Sequence, residues 1–233
     1  AAPQTALLAS LVYGTWFHSD AVSVTGIDKI ALEDMDYAKE LDYRIKLIGH
    51  IDKNSDGKVY LAVKPTLVPL SSTMANVNDV FNGIRVKGDI VGETMFYGQG
   101  AGKDATASAV YADLIDASKA LVNDTISDNP GFIAYEGCTG LMDQAVHKER
   151  YYLRFKISDE AMTLSTVTRI LGENEISISS VHSKEIHQKS ELCHVVILTH
   201  EASLTQIDKA ISELTSTKDV VGDVVAYSIH DLD

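Results

Sequence analysis

Gly98, Gly100 and Gly102 fall at alternate positions between an apolar run and a stretch of strong helix formers, within GDIVGETMFYGQGAGKDATASAVYADLIDASKALV. The pattern predicts a strand, a glycine loop and a helix. Glycine lets the backbone turn sharply and come close to a ligand, and the helix start presents unpaired N–H groups and the positive end of its dipole. A phosphate or a ribose suits such a place. The residues alone also permit a plainer reading, in which the glycines make only a tight connection, and on local grounds that reading is preferred. Lys103 stands where a dinucleotide fingerprint has its third glycine. No βαβ continuation and no suitably placed acidic residue follow, so this is not a Rossmann fingerprint.

Other reactive residue types point to less chemistry. The five carboxylates at positions 33, 34, 36, 40 and 42 read as a solvated helix face, with no catalytic role. His194 and His200, on one face of a strand, would stand ~20 Å apart, and His182 and His187 would face opposite ways, so no metal site is expected. Cys138 and Cys193 form no CxxC motif and fit a reducing compartment. A formal net charge of -13 repels phosphate backbones and anionic lipid, which argues against nucleic acid or a membrane surface as partner. No apolar run is long enough to span a bilayer and no basic-then-apolar leader opens the chain, which is read as cytoplasmic.

The elements around the glycine loop follow from periodicity. AAPQTALLASLVYG reads as a helix with no capping residue before it, as though the first domain were truncated at its start. Ile27, Ile30, Met35, Ala38 and Leu41 form the apolar stripe of an amphipathic surface helix. RIKLIGHI and KVYLAVKP are strands joined by DKNSDG, where Asp56-Gly57 suits a tight hairpin, and Pro65 is expected to end the second strand. A short helix is expected over NVNDVFNGI. Residues 122–148 lack a sustained period and read as a linker.

From residue 149 the pattern sharpens. Tyr151, Leu153, Phe155 and Ile157 alternate on one strand face, and Leu164, Val167, Ile170 and Leu171 make a helix stripe. EISISSVHSKEI and CHVVILTH are two more strands, Ser203 with Gln206 is a capping box, and VVGDVVAYSIHD is the last strand. The order β, α, β, β, α, β is the ferredoxin-like split βαβ arrangement, with both helices on one sheet face. Val195 through Leu198 put apolar groups on both faces, so the open face should pack against another domain or protomer, and a homodimer or higher homo-oligomer is expected.

Two segments in order resemble homoserine dehydrogenases: KPTLVPLSSTMANVNDVFNG, residues 64–83, and GETMFYGQGAGKDATASAV, residues 92–110. RFKISD, a helix, GENEISISSV and a hydrophobic strand resemble the ACT regulatory domain found in many members. The resemblance implies an α+β chain. Residues 1–121 would be a mixed-sheet catalytic, substrate-binding and dimerisation region, residues 122–148 a linker, and residues 149–233 a βαββαβ ACT domain. It implies NAD(P)-dependent interconversion of L-homoserine and L-aspartate 4-semialdehyde, toward threonine and methionine, with Gly98, Gly100, Ala101, Gly102 and Thr106 beside the nicotinamide ribose and substrate. Ala105 stands where the family often has proline.

Gln4 occupies the position of the family's proton-donating lysine. A Gln amide can hydrogen-bond a substrate oxygen but cannot deliver a proton as an ammonium can. The family's preceding aspartate, its substrate-binding glutamate and its nucleotide-binding domain would all lie before Ala1. The chain by itself is therefore expected to be inactive and to hold no cofactor tightly. NAD and NADP are not distinguished, because the residues that read the ribose belong to that domain.

ACT domains bind an amino acid at the loop after their first strand. The resemblance places an effector at Asp159, Ala161, Met162, Leu164 and Ile178, with Ala161 and Met162 where proline and glycine are common. The alternative reading is a non-catalytic regulatory or assembly module, and Gln4 favours it.

Overall fold

The computed structural model describes residues 1–125, 137–158, 162–185 and 192–230. The elements in chain order begin with helix α1 (Ala2–Tyr13), strand β1 (Ser23–Val24), helix α2 (Leu32–Glu40) and strands β2 (Tyr43–Lys53) and β3 (Lys58–Pro69). Strands β4 (Phe81–Gly88) and β5 (Gly92–Gln99), helix α3 (Lys103–Val122) and strand β6 (Gly140–Leu141) follow. The remainder is β7 (Lys148–Ser158), α4 (Thr163–Glu173), β8 (Ile178–Glu185), β9 (Leu192–Thr199), β10 (Ala202–Ser203), α5 (Leu204–Ser216) and β11 (Val220–Ile229). The fold is mixed α+β. The chain forms two compact units, one of Ala1–Pro69 with Ala134–Asp233 and one of Leu70–Ile133. No helix among the described residues is long and apolar enough to cross a membrane.

The first unit is built on a nine-stranded sheet with the path β1-β3-β11-β7-β9-β8, to which β2, β6 and β10 add. β2 and β3 pair antiparallel through the expected hairpin, whose Gly57 has a φ of +79°. β3 does not end at Pro65 as expected but continues to Pro69. β2 occupies one edge of β3. The other edge pairs parallel with β6 at residues 58–59, β1 at 62–63 and β11 at 66–67. Pro65 falls in the gap between β1 and β11, where its missing N–H costs no ladder bond.

The last six major elements run β7, α4, β8, β9, α5, β11, and their strands lie side by side as β11-β7-β9-β8. Leu153, Phe155 and Ile157 of β7 face Val167, Ile170 and Leu171 of α4 and Ile207, Ala210 and Leu214 of α5 in one apolar core. Each fully buried Leu, Ile, Val or Phe there contributes roughly 1.5–3 kcal/mol. Ser203 accepts from the Gln206 backbone N–H while Gln206 Oε1 accepts from the Ser203 N–H, the expected capping box.

The opposite sheet face is covered from within the chain. Val196 and Leu198 pack with Tyr152, Tyr227, Ala38 and Leu67, and with partly buried Ile30, Tyr37 and Leu41. The open face, expected to pack against another domain or protomer, is thus met by the α2 segment of the same chain. That segment itself departs from expectation. Its helix is shorter than the apolar stripe suggested, Ile27 and Met35 are exposed, and Asp34, read as part of a solvated face, is 0% exposed.

Asp34 lies on the sheet side of α2 together with Ala38, one turn on. Its carboxylate accepts from Arg154 Nε at 2.5 Å and from Arg154 Nη2 at 3.0 Å, and from the hydroxyls of Tyr152 at 3.2 Å and Tyr227 at 3.4 Å. The Ala31 backbone N–H at the helix start donates to it as well, at 3.3 Å. The bonded carboxylate holds Arg154 above its ordinary pKa, and burial first, then Asp34, pushes Tyr227 up to about 12.

The second unit holds the β4–β5 hairpin and α3. The helix expected over residues 76–84 is instead a single 3-10 turn at Thr73–Asn76, followed by β4. Pairing decides the matter, because Phe81 through Gly88 find a full antiparallel partner in Gly92 through Gln99. Phe81 and Tyr97 stack with ring centroids 4.8 Å apart, and Arg85 pairs with Glu93 at 2.7 Å.

Breaking the Asp34–Arg154 pair by Asp34→Ala should cost about 3–5 kcal/mol, because it leaves a buried guanidinium with only the exposed Glu33 carboxylate, 3.7 Å away, as its ion partner among the described residues. Asp34→Leu with Arg154→Met should recover most of that loss. Urea unfolding of the two variants measures both effects.

Candidate functional site

The glycine loop runs from the end of β5, at the open end of the β4–β5 hairpin, to the start of α3. Gly100 N–H donates to Val80 O at 3.0 Å. A Cβ on Gly100 would lie 1.5 Å from Asn82 Nδ2 and 2.4 Å from its Cγ, so any larger residue there would force the Asn82 side chain to move. Gly102 is the N-cap of α3 at φ +119° and ψ 154°, a region that L side chains rarely enter. It brings no side-chain acceptor to the first-turn N–H groups, which are left to solvent or a ligand. Gly98 needs neither exemption: its missing Cβ would meet open space.

Gly102 and Thr106 line one open groove with Lys103, Val110, Tyr111 and Leu114, all on one side of α3. No α3 residue is buried. Of the five predicted loop residues only Gly102 and Thr106 line this groove, and Gly98, Gly100 and Ala101 are exposed in the segment that leads into α3. Gln4 is exposed on α1, in the other unit.

Of the expected effector residues, Met162 and Leu164 lie at the start of α4. Met162 is the N-cap of α4 at φ +97°, a conformation that favours glycine, and is 76% exposed. Leu164 is exposed in the first turn of α4, and Ile178 opens β8 and packs on the core. Asp159 and Ala161 lie outside the described residues.

A polar cluster that sequence reasoning missed sits at the other end of β7. Lys64 of β3 forms an ion pair with Glu149 of β7, with side chains only 17% and 14% exposed. Lys64 Nζ also donates to Tyr60 Oη at 2.8 Å, and the Tyr60 ring stacks on His147 at 3.7 Å between centroids. Tyr151 hydrogen-bonds Glu149, and burial with that carboxylate pushes its hydroxyl pKa far up. Burial lowers the pKa of Lys64, with Glu149 opposing. On the same strand, Thr66 Oγ1 bonds His50 Nε2 at 2.9 Å and Ser228 Oγ at 3.1 Å. The available signal was a lysine inside the otherwise apolar run KVYLAVKPTLV, since a charge on a strand buried on both faces demands a partner.

Gly102→Ala should destabilise the second unit by roughly 1–3 kcal/mol. Gly98→Ala should stay within about 0.5 kcal/mol of the wild type, and thermal melts separate the two. Separately, burial holds His50, His147 and His194 below the usual histidine pKa, His50 furthest. The unfolded chain therefore binds more protons below about pH 6.5, and stability should fall as the pH drops through that value toward the folded pKa values. Urea midpoints at about pH 7.5 and 5.5 test this. His50→Gln, which keeps a hydrogen bond to Thr66, should flatten the dependence.

Comparison with known proteins bears on the same segment. The family model described as homoserine dehydrogenase matches residues 1–115, which include the glycine loop. Homoserine dehydrogenase of Pseudomonas aeruginosa is 34% identical over 245 residues, covering 100% of this chain and 54% of that protein. That of Neisseria gonorrhoeae is 36% identical over 211 residues, covering 89% of this chain and 48% of the relative. Among solved structures, a homoserine dehydrogenase from Thiobacillus denitrificans superposes with a TM-score of 0.88 at 32% identity, over 100% of this chain and 53% of that one. The enzyme from S. aureus at pH 7.0 gives a TM-score of 0.67 at 26% identity, over 99% and 53%. The chain spans about half the length of the relatives it matches. On the shared segments, the superposed fold and the glycine loop within the matched region, this chain belongs to the homoserine dehydrogenase family.

Proposed function

We propose that this chain supplies the substrate-side and regulatory part of an NAD(P)-dependent homoserine dehydrogenase, which interconverts L-homoserine and L-aspartate 4-semialdehyde. The observation that carries the reading is the glycine loop. Gly102 holds a backbone conformation suited to glycine, brings no capping side chain to the helix start, and leaves open space where a Cβ would stand. These features fit the approach of a ribose or phosphate. Gly98, Gly100, Ala101, Gly102 and Thr106 are the residues that would border the cofactor. When bound, NAD(P) supplies the hydride acceptor and donor. The chain's own contribution is to shape and orient, and no proton transfer is assigned to Gln4, whose amide cannot exchange a proton as an ammonium does.

The C-terminal β-α-β-β-α-β segment is proposed as an ACT-type regulatory module, with Met162, Leu164 and Ile178 near its effector loop. A homodimer remains part of the proposal. Its surface is the outer edge of β8, the last strand of the sheet path, rather than the covered sheet face.

The native gene product that contains this sequence should reduce NAD⁺ or NADP⁺ in the presence of L-homoserine, followed by absorbance. Gly98→Leu should raise the cofactor KM by about tenfold while the melting temperature holds. No homoserine-dependent reduction with either cofactor would sink the catalytic reading and favour the assembly module that Gln4 suggests.

A further inference from the structure

The Lys64–Glu149 cluster surrounds a cavity of about 190 Å³, formed wholly within the first unit. It is smaller than the ~300–1,000 Å³ of pockets that take drug-sized molecules, so its occupant is small. Tyr60, Lys64, His147, Glu149 and Tyr151 bring polar groups to its wall, and Ile207 is among its apolar lining. Among the described residues, two of the three N–H groups of Lys64 serve Glu149 and Tyr60, which leaves one for a ligand.

Charge and desolvation select the ligand class. The wall carries one ammonium and one carboxylate, already paired, and Asp208 adds an exposed carboxylate. A simple anion entering would meet Glu149, and a simple cation would meet Lys64. Either would bring one unbalanced charge against a buried pair that is already neutral, and desolvating that charge costs several kcal/mol. A molecule carrying both signs avoids this, since its carboxylate can take the free Lys64 N–H while its ammonium faces Glu149 or Asp208.

We infer that this cavity is a binding site for a small aminocarboxylate zwitterion. The site is separate from the loop proposed for an effector. Glu149 and Ser158 lie at opposite ends of β7, ~30 Å apart at strand rise, and Met162 lies beyond Ser158. The inference does not rest on the dehydrogenase reading, because it uses only residues of this cavity.

Calorimetric titration of the full chain tests it with glycine, L-alanine, L-serine, L-threonine, L-valine and β-alanine as probes. Propionate and ethylamine, each lacking one charged group of alanine, serve as controls. At least one zwitterion should saturate with a Kd of about 1 mM or tighter, and both controls should bind about tenfold more weakly or not at all. Lys64→Met with Glu149→Leu replaces the pair by apolar groups, leaves neither charge stranded, and should abolish binding. Should that double variant not fold, Tyr60→Phe and Tyr151→Phe keep the pair and should each weaken binding by about two- to tenfold. The inference is overturned if no zwitterion saturates, if propionate or ethylamine matches alanine, or if a folded double variant or both tyrosine variants bind like wild type. Binding lost on changing Met162 but not these residues would also overturn it, by placing the ligand at the other loop.

Discussion

The backbone of β3 has to find hydrogen-bond partners along both edges for 12 residues, in a strand whose side chains are buried on both faces. One edge is served by β2, its neighbour in sequence, through a short hairpin. The other cannot be served locally. It is completed by three short parallel pairings, of which β11 comes from the far end of the chain. That requirement joins the N-terminal segment and the C-terminal β-α-β-β-α-β segment into one sheet. Everything else in the first unit is arranged around this join.

Once β11 is docked on β3, the second face of the C-terminal sheet comes to lie against α2. Apolar contact from Val196, Leu198 and Tyr152 covers most of it, but apolar burial has no preferred orientation. The Asp34 carboxylate, bonded to Arg154, Tyr152 and Tyr227, supplies the direction that the greasy contacts lack. A buried ion pair of this kind is a poor source of net stability but a strong penalty on any arrangement that leaves one partner alone. It also accounts for an acidic helix that carries one fully buried carboxylate among exposed ones.

The two chemically suggestive places differ in how they are built. The glycine loop is a local construction: a hairpin end, a glycine at positive φ and a helix start follow one another within a few residues. The cavity beside Lys64 and Glu149 is assembled from β3, β7 and α5, which lie far apart in the chain. Its tyrosines and its ion pair exist as a group only because the sheet is continuous. Burial there favours the neutral state of His147 and raises the hydroxyl pKa of Tyr151, so the charged groups at that wall are the lysine and the carboxylates.

Local chemistry by itself determined α1, the β2–β3 hairpin, the strand-loop-helix around Gly98 to Thr106, and the order of elements after residue 149. In each case period, turn glycine or capping box acts within a dozen residues, so the signal is complete in the segment that carries it. Tertiary structure alone decided the rest. Pro65 could stay inside a strand because its neighbours on one edge happen to leave a gap. Phe81 to Gly88 became a strand because a partner lay ready to complete its ladder. Asp34 went inside because Arg154, 120 residues later, was there to meet it. Lys64 did so because Glu149 was. A polar residue's burial depends on a partner whose position no local pattern encodes, and the cost of leaving it unpaired is what selects the one fold that brings the partners together.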